Sequence, residues 1–224
     1  MSRSKLGLVT IGQTPRPDFE AVFRKYASES EICIMGALDG IPPREIERLA
    51  VSNAEYPLHV RLATGAVVDL PMASLFPLVE ARARHLAEEG ASLIVVLCAG
   101  HFPEIACAAP ILLPGKVLPS VIGTITRTRQ LGIVVPNAGQ VSYARENWTA
   151  DGFRVTVTSA SPFRHREIVP AARTLADPTL EMIVLDCMGH GSDYRTEFAR
   201  RTGRPVVSAQ SLVARIAGEF VAGQ

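Results

Sequence analysis

Two cysteines stand at matching positions in two similar segments of the sequence. Leu93-Ile-Val-Val-Leu-Cys98-Ala-Gly-His101 resembles Met182-Ile-Val-Leu-Asp-Cys187-Met-Gly-His190, so each apolar run leads into Cys-x-Gly-His. A thiolate can remove a proton from carbon, and a thiol can return one. Two such groups on opposite sides of one carbon would invert a stereocentre. Cys98 and Cys187 are therefore the candidate catalytic residues.

A reaction of this kind also needs hydrogen-bond donors around the substrate. A free thiol has a pKa of ~8.5, and a carbon next to a carboxylate is a far weaker acid, so donors must stabilise the developing enolate. The candidate substrate-binding residues follow the ends of apolar runs. They are Gln13, Thr14, Asn137 and Ser208, the backbone amides of Ala99, Gly100, Met188 and Gly189, and the side chains of Arg16, Asp39 and His190. Arg16 could bind a carboxylate bidentately or remain a solvated charge.

The same residues also permit plainer interpretations. A cysteine at a strand end is often a small core residue, and we expect this of Cys33 in a strand and of Cys107 in a helix. The two Cys-x-x-His units could supply four ligands to zinc, but we favour no metal because each lies at a strand-to-helix turn. His101 and His190 could tune the thiols, contact the substrate or lie at the rim of a cleft.

The elements that must position these residues follow from the apolar pattern. Short apolar runs without alternation predict strands buried on both faces, as in a parallel sheet: Leu6–Ile11, Ile32–Leu38, Leu93–Cys98, Leu131–Val135, Val155–Thr158 and Met182–Cys187. Helical patterns lie between them: Asp18–Ser28, Arg44–Val51, Leu75–Glu89, Gln140–Ala150, Glu167–Leu175, Asp193–Thr202 and Ser211–Ala222. Asp18 is the expected N-cap of the first helix, and Gly90 ends the longest one. Thr64-Gly65 predicts an antiparallel hairpin.

An internal repeat predicts two α/β lobes with doubly wound, mostly parallel sheets. Leu6-Gly-Leu-Val-Thr-Ile-Gly12 resembles Leu131-Gly-Ile-Val-Val-Pro-Asn137, and a weaker echo links Val117–Ser120 with Pro205–Ser208. We expect an N-terminal lobe over residues 1–125, a C-terminal lobe over 126–208, and a final helix, 209–224, that packs back on the first lobe. Ligands bind beyond the carboxyl ends of such strands, which predicts an active site in the cleft between the lobes, with a helix starting directly after each cysteine.

Composition narrows the classes of partner. Of the 224 residues 47% are hydrophobic, and the formal net charge of +1 supplies no field that would attract nucleic acid or an acidic membrane. The longest apolar runs are about half the ~20 residues that a spanning helix needs. The N-terminal run Leu6–Ile11 lacks the features of a signal peptide, so we expect a cytoplasmic protein with reduced thiols.

Four segments around these residues resemble the AroM family, the most specific being Gly12-Gln-Thr-Pro-Arg-Pro-Asp18. The others are Ala37-Leu-Asp-Gly40, Leu97-Cys-Ala-Gly100 and Leu185-Asp-Cys-Met-Gly189. That family is similar to the aspartate/glutamate racemase-like superfamily, which implies two pseudo-symmetric lobes with one catalytic cysteine each and no cofactor. It also implies a small carboxylate substrate, bound at Gln13–Thr14 and Asn137, and members often form homodimers. Amino-acid racemases tend to follow their cysteines with Asn-Thr and Thr-His, whereas Ala99-Gly100 and Met188-Gly189 stand here.

Three functions remain open at this point. The first is a cofactor-independent racemase or isomerase that uses both thiols on a small carboxylate. The second is a decarboxylase or related lyase in which a single thiol is essential. The third is a regulatory protein that binds a small metabolite without turning it over.

Overall fold

The chain folds into two compact α/β units. The computed structural model describes residues 4–50 and 55–222. One unit is formed by the described parts of Met1–Pro114 and Val213–Gln224, and the other by Gly115–Leu212. The strands are β1 Lys5–Thr10, β2 Glu31–Gly36, β3 Pro57–Arg61, β4 Val67–Pro71, β5 Leu93–Val96, β6 Ile111–Leu112, β7 Gln130–Val135, β8 Arg154–Ser159, β9 Met182–Leu185 and β10 Val206–Ser208. The α-helices are α1 Pro17–Arg24, α2 Pro43–Leu49, α3 Met72–Glu88, α4 Pro114–Ile125, α5 Val141–Ala150, α6 Ile168–Thr174, α7 Ser192–Thr202 and α8 Ala209–Val221.

Each unit contains a four-stranded parallel sheet with the same topology. The strand order is β2-β1-β5-β6 in the first unit and, read in the same direction, β8-β7-β9-β10 in the second. The central strands β5 and β9 are buried along their whole length, as their unbroken apolar sequences require. The predicted α/β class with mostly parallel sheets is therefore confirmed.

The duplication extends to individual packing positions. Gly7 in β1 and Gly132 in β7 occupy the same place in the repeat, and both lie where a side chain would collide with the core. A Cβ on Gly7 would lie 3.1 Å from Leu86, and one on Gly132 would lie 2.5 Å from Ile183. The Leu-Gly sequence that the two repeats share thus marks a close approach of a strand to its neighbours rather than a turn.

One predicted correspondence is wrong. Val117–Ser120 lies inside helix α4, whereas the segment it was matched to forms strand β10. The topological counterpart of β10 is β6, which is only two residues long and leaves no readable pattern. Pro119 stands inside α4 and masked the helix in the sequence, because proline normally disfavours a helix interior.

The hairpin insertion is confirmed. Strands β3 and β4 pair antiparallel around Gly65, whose φ of +84° suits the turn that its sequence predicts. In chain order, α2 and the hairpin stand between β2 and α3. This insertion accounts for the greater length of the first half of the repeat. Val51, predicted as the end of α2, lies outside the described residues, as do residues 223–224 of the predicted final helix.

Two helix ends can be compared with the residues that were expected to mark them. Helix α3 ends at Glu88, and Gly90 follows with a φ of +85°, as expected of a C′ glycine. Helix α1 begins at Pro17 with Arg16 at the N-cap, so the prediction of Asp18 as N-cap is wrong. Proline takes the first helical position because it has no N–H to satisfy there. Among the described residues, no helix is both long and apolar enough to span a bilayer.

Candidate active site

The two candidate catalytic cysteines stand in equivalent turns. Cys98 follows the end of β5 by two residues, and Cys187 follows the end of β9 by two residues. The backbone N–H of Gly100 donates to Cys98 Sγ at 3.4 Å, and that of Gly189 donates to Cys187 Sγ at 3.3 Å. A donor at this distance stabilises a thiolate more than a thiol, because the charged acceptor forms the stronger bond. Both half-buried sulfurs are therefore held in a geometry that suits acid–base chemistry.

The source of these donors differs from the sequence prediction. We expected a helix to begin directly after each cysteine, but residues 97–110 contain no helix, and α7 begins only at Ser192. The N–H groups that reach the sulfurs come from tight turns instead. The same stretch contains Cys107, which is therefore not in a helix as expected. Its Sγ lies 3.6 Å from the Ala83 carbonyl oxygen of α3.

Close packing explains the glycine in each turn. A Cβ on Gly100 would lie 2.9 Å from Met72 Cε, and a Cβ on Gly189 would lie 2.9 Å from Pro162 Cγ. Neither turn has room for a side chain without movement of a neighbour. Each glycine therefore allows its own N–H to reach the cysteine two residues earlier.

Asp39 organises the loop after β1 in the first unit. Its carboxylate accepts hydrogen bonds from Thr14 N at 2.8 Å, Thr14 Oγ1 at 2.8 Å and Gly36 N at 2.7 Å. Arg82 of α3 donates to the carbonyl oxygens of Gly36 and Asp39, at 3.0 and 2.6 Å. Sequence reasoning missed Arg82, since only the fold brings α3 to this loop. The pattern makes Asp39 a support for Thr14.

Gln13 ties the same loop to two neighbours. Its Nε2 donates to Leu38 O at 3.1 Å, and its Oε1 accepts from Ala63 N of the hairpin at 3.0 Å. Its backbone N–H donates to Arg61 O at 3.2 Å. Gly12 faces that same carbonyl, so a side chain there would collide with the hairpin. Gln13 thus fastens the hairpin over the loop, and Gly12 makes the approach feasible.

Arg16 binds within its own unit. Its guanidinium pairs bidentately with Asp18 at 2.9 and 2.7 Å, donates to Thr10 Oγ1 at 3.1 Å, and stacks 4.0 Å above the Phe19 ring. Burial alone would raise the pKa of Asp18, but the hydrogen bonds and charge of Arg16 outweigh it and lower that pKa. Arg16 is only 8% exposed. The bidentate partner predicted to be a substrate carboxylate is therefore Asp18 in the protein itself.

The loop after β7 in the second unit is built differently. Asn137 corresponds to Gly12 in the repeat, and its Oδ1 accepts from Gln140 N at 3.0 Å, which caps a short 3₁₀ turn at Ala138–Gln140. Strands β7 and β9 are neighbours, so Asn137 and Cys187 lie at the same end of their sheet. In the first unit, Thr14 and Cys98 share the corresponding end, since β1 and β5 are neighbours.

His190 and Ser208 lie inside the second unit beneath the Cys187 turn. His190 is fully buried, its Nε2–H donates to Ala160 O at 2.8 Å, and its ring lies 5.0 Å from that of Tyr194. Ser208 Oγ donates to His190 O at 2.9 Å, and Gln210 Nε2 donates to Met188 O at 2.9 Å. Gln210 is a second residue that sequence reasoning missed. These bonds assign His190 and Ser208 to the framework of the turn.

Tyr194 of α7 anchors this framework. Its hydroxyl donates to Ser161 O at 2.6 Å, and burial raises the pKa of Tyr194 to about 12, so it stays neutral near pH 7. Ser161 precedes Pro162, the residue that Gly189 approaches most closely. In the first unit, the hydroxyl of Tyr56 accepts from the backbone N–H of His101, three residues after Cys98, at 3.0 Å.

Asp186 lies immediately before Cys187 at the end of β9. Trp148 Nε1 of α5 donates to Asp186 Oδ2 at 2.9 Å. Burial raises the pKa of Asp186 to about 6, although the indole hydrogen bond acts in the opposite direction. The carboxyl group of the residue next to Cys187 therefore changes its ionisation close to neutral pH. Its partner Trp148 lies 38 residues away along the chain, so no local pattern could predict the pair.

A metal site finds no support in this geometry. Among residues 4–50 and 55–222, no group of three or more histidine, cysteine, aspartate and glutamate side chains is placed to hold a metal ion. His190 Nε2 carries the proton that it donates to Ala160 O, so this nitrogen does not act as a metal ligand.

Three solved enzyme structures have folds similar to this one. Arylmalonate decarboxylase matches with a TM-score of 0.62 and 14% identity, over 98% of this chain and 93% of that one. Glutamate racemase from Aquifex pyrophilus matches with a TM-score of 0.57 and 14% identity, over 96% and 83%. Maleate isomerase from Pseudomonas putida S16 matches with a TM-score of 0.58 and 12% identity, over 96% and 91%. The fold is thus that of the racemase-like proteins.

The comparisons of the sequence itself identify the family. No curated protein matches the sequence. The family model described as AroM protein matches residues 6–221, nearly the whole chain. The match includes both cysteine turns and the Gly12–Asp18 loop. The chain belongs to the AroM protein family.

Proposed function

We propose that this protein is a cofactor-independent enzyme of the racemase or isomerase type, acting on a small carboxylate. Cys98 and Cys187 act as its paired base and acid. The observation that carries the proposal is the equivalence of the two turns: each sulfur accepts an N–H from the glycine two residues later, at 3.4 and 3.3 Å. Sulfurs that served only to fill space would not need the same donor twice.

The proposed reaction is a proton exchange that balances within the two thiols. One cysteine, as a thiolate, takes the proton from the carbon next to the substrate carboxylate and becomes a thiol. The electron pair of the broken C–H bond moves into an enolate. The other cysteine donates its proton to the opposite face of that carbon and becomes a thiolate. The product carries the inverted or isomerised centre, and no oxidant or reductant is consumed.

The hydrogen bonds within each unit divide the remaining candidates into two groups. Gln13, Arg16 and Asp39 already bind groups of the protein, so their proposed role is to hold Thr14 and the hairpin in place. The proposed contacts to the substrate are the backbone amides that follow each cysteine and the side-chain amide of Asn137. Amide donors fixed before the reaction stabilise an enolate without reorganising.

The test uses solvent isotope and four matched variants. Candidate small chiral acids and hydantoins are incubated in D₂O, and deuterium incorporation at the carbon next to the carboxylate or ring carbonyl is followed by NMR, which also follows conversion of cis-diacids to their trans isomers. We expect Cys98→Ser and Cys187→Ser each to lower turnover at least 100-fold, because a serine hydroxyl is a far weaker acid. Cys33→Ser and Cys107→Ser are the matched controls and should retain turnover. Full activity in both Cys98→Ser and Cys187→Ser would refute the two-thiol mechanism.

The proposal also requires that both thiols reach one substrate. A short reagent with two alkylating arms should therefore link Cys98 to Cys187, and a small carboxylate inhibitor should protect both from it. Mass spectrometry of the digested protein identifies the linked peptides. Modification of the two cysteines without any link between them would contradict a shared substrate.

A single-thiol lyase is the second candidate, and one observation favours it. The residues before the cysteines differ, Leu97 in one turn and Asp186 in the other, so the two thiols have different surroundings. A decarboxylase needs only one proton donor for the carbanion that loss of CO₂ leaves behind. In that case one serine variant loses turnover of an α-disubstituted malonate and the other keeps it. A protein that binds such acids without turnover by any variant would instead be a metabolite sensor.

A further inference from the structure

The two cysteine turns differ at one chemically important position. Leu97 precedes Cys98 and is 3% exposed, whereas Asp186 precedes Cys187. The first and last residues of β7 each lie 125 positions after those of β1. The same offset pairs Phe23 of α1 with Trp148 of α5. The second unit thus has an ionisable residue and an indole where the first unit has two apolar side chains.

The polar residues of the second unit form a specific contact. Trp148 is 2% exposed, and its Nε1 donates to Asp186 Oδ2 at 2.9 Å. The backbone N–H of Asp186 donates to Val134 O at 2.9 Å, so the residue is held at both its main chain and its side chain. An indole N–H is a donor only, and therefore it binds a carboxylate or an amide oxygen but gains nothing from leucine.

Ionisation of Asp186 places a negative charge beside Cys187 in neutral solution. Burial raises the pKa of Asp186 only to about 6, so the carboxylate form prevails at pH 7 and above. Consecutive Cα atoms lie about 3.8 Å apart, so the lengths of the two side chains keep the carboxylate and the sulfur within about 10 Å of each other. A like charge at this distance disfavours the thiolate, whereas Leu97 has no such effect on Cys98.

Several ionisable side chains around the Cys187 turn in the second unit have partners of their own. His190 donates its Nε2–H to a carbonyl inside the unit, and Tyr194 of α7 has a pKa of about 12. Glu167 accepts from Ser161 N, and His165 pairs with Asp193 at 3.1 Å. On α5 the residue that contacts Asp186 is Trp148, whereas the charged residues Arg145 and Glu146 are exposed.

We propose that Asp186 makes the two sulfurs inequivalent, so that the resting protein holds Cys187 as the protonated acid and Cys98 as the thiolate base. Asp186 acts through Cys187 and is a positioning residue for its proton. The names acid and base rest on the proposed function, but the difference in ionisation does not. The two-thiol reaction would then start in one direction, with Cys98 removing the first proton.

The test measures the ionisation of each thiol without any substrate. The protein is alkylated with iodoacetamide between pH 6 and 10, and the rate at each cysteine is read by mass spectrometry of its peptides. We expect the midpoint for Cys187 to lie above that for Cys98. Asp186→Asn should lower the Cys187 midpoint by about one pH unit, the effect of one charge about 10 Å away at an effective dielectric constant of about 20. The Cys98 midpoint should not fall with it.

Two further variants separate charge from packing. Trp148→Phe copies Phe23 and removes the donor but keeps the carboxylate, so the Cys187 midpoint should stay high. Asp186→Leu copies Leu97 and should lower it as Asp186→Asn does. Cys107, in the other unit, is the internal reference for folding. An Asp186→Asn protein with an unchanged Cys187 midpoint, or a Trp148→Phe protein that matches it, would overturn the inference.

The outcome is independent of the proposed function. If the two midpoints differ as expected but no acid is turned over, the inference stands and the enzyme proposal fails. If both serine variants abolish turnover but the midpoints are equal, the enzyme proposal stands and Asp186 has no such role.

Discussion

The turns at Cys98 and Cys187 have the same hydrogen bond to the sulfur, but different side chains hold the two turns and their neighbouring loops in place. In the first, Gln13 of the loop after β1 accepts from the hairpin backbone at Ala63 N, and Arg82 of α3 donates to Gly36 O. In the second, the support comes from inside the unit, through Tyr194 and Gln210. The turn that contacts the sulfur has thus stayed the same while its surroundings diverged.

The largest expected difference between the halves lies in the loops after β1 and β7. Asp39→Ala removes the acceptor of three hydrogen bonds, leaving buried donors unsatisfied, and should lower the free energy of unfolding by about 2–4 kcal/mol. Asn137→Ala removes one capping bond and should cost about 1 kcal/mol. Urea unfolding gives both values, and faster amide exchange at Thr14 and Gly36 should accompany the first. Equal losses would show that the two loops are supported alike.

The two glycine turns give the next contrast. Gly189→Ala forces a Cβ against the Pro162 ring, which is rigid, and should cost about 1–3 kcal/mol. Gly100→Ala meets the flexible end of Met72 and should cost less than about 1 kcal/mol. Thermal unfolding of the two variants checks the order. If Gly100→Ala proved the more damaging change, the Cys98 turn would be the more tightly packed of the two.

The smallest effect concerns pH. Because burial raises the pKa of folded Asp186 to about 6, against ~3.9 unfolded, its favourable contribution is complete below pH 4 and is lost as the pH rises through 6. Asp186→Asn removes that loss. The difference in free energy of unfolding between this variant and the wild type should therefore be about 1–2 kcal/mol more favourable to the variant at pH 7.5 than at pH 4.5. Urea unfolding at both pH values measures the change.

Asp18 provides the control for this pH dependence. Its pKa is lowered in the folded state, so its contribution is present at neutral pH and is lost as the pH falls below the unfolded value. Asp18→Asn should therefore destabilise the protein almost equally at pH 7.5 and pH 4.5, because both lie above the unfolded pKa of ~3.9, and less only below about pH 4. A change between pH 4.5 and 7.5 as large as that of Asp186→Asn would contradict the different environments of the two carboxyl groups.

Local patterns were sufficient for much of the fold. The apolar runs predicted β1, β5, β7 and β9, because strands buried on both faces need unbroken apolar sequence. Gly65 and Gly90 predicted a hairpin and a helix end through backbone conformations that glycine adopts readily. The two-residue strand β6 and helix α4, with its internal Pro119, could not be found this way.

The candidate site was predicted only in outline. The two cysteines could be paired because the repeat matched their positions along the chain. Partners of polar side chains could not, as Arg16 illustrates: a guanidinium suits a substrate carboxylate and Asp18 equally well. The roles of Arg82 and Gln210 lie in bonds to backbone carbonyls, which carry no sequence signature.

The sequence alone determined the duplicated α/β plan, the AroM family and the equivalence of Cys98 and Cys187. These conclusions depend only on residue order and short-range periodicity, which do not require knowledge of tertiary contacts. Only the tertiary structure decided that Asp39 supports Thr14, that His190 is buried and that Trp148 binds Asp186. Such partners lie 25 to 38 residues apart in the cases of Thr14 with Asp39 and Trp148 with Asp186, so their pairing depends on which groups packing brings within hydrogen-bond distance.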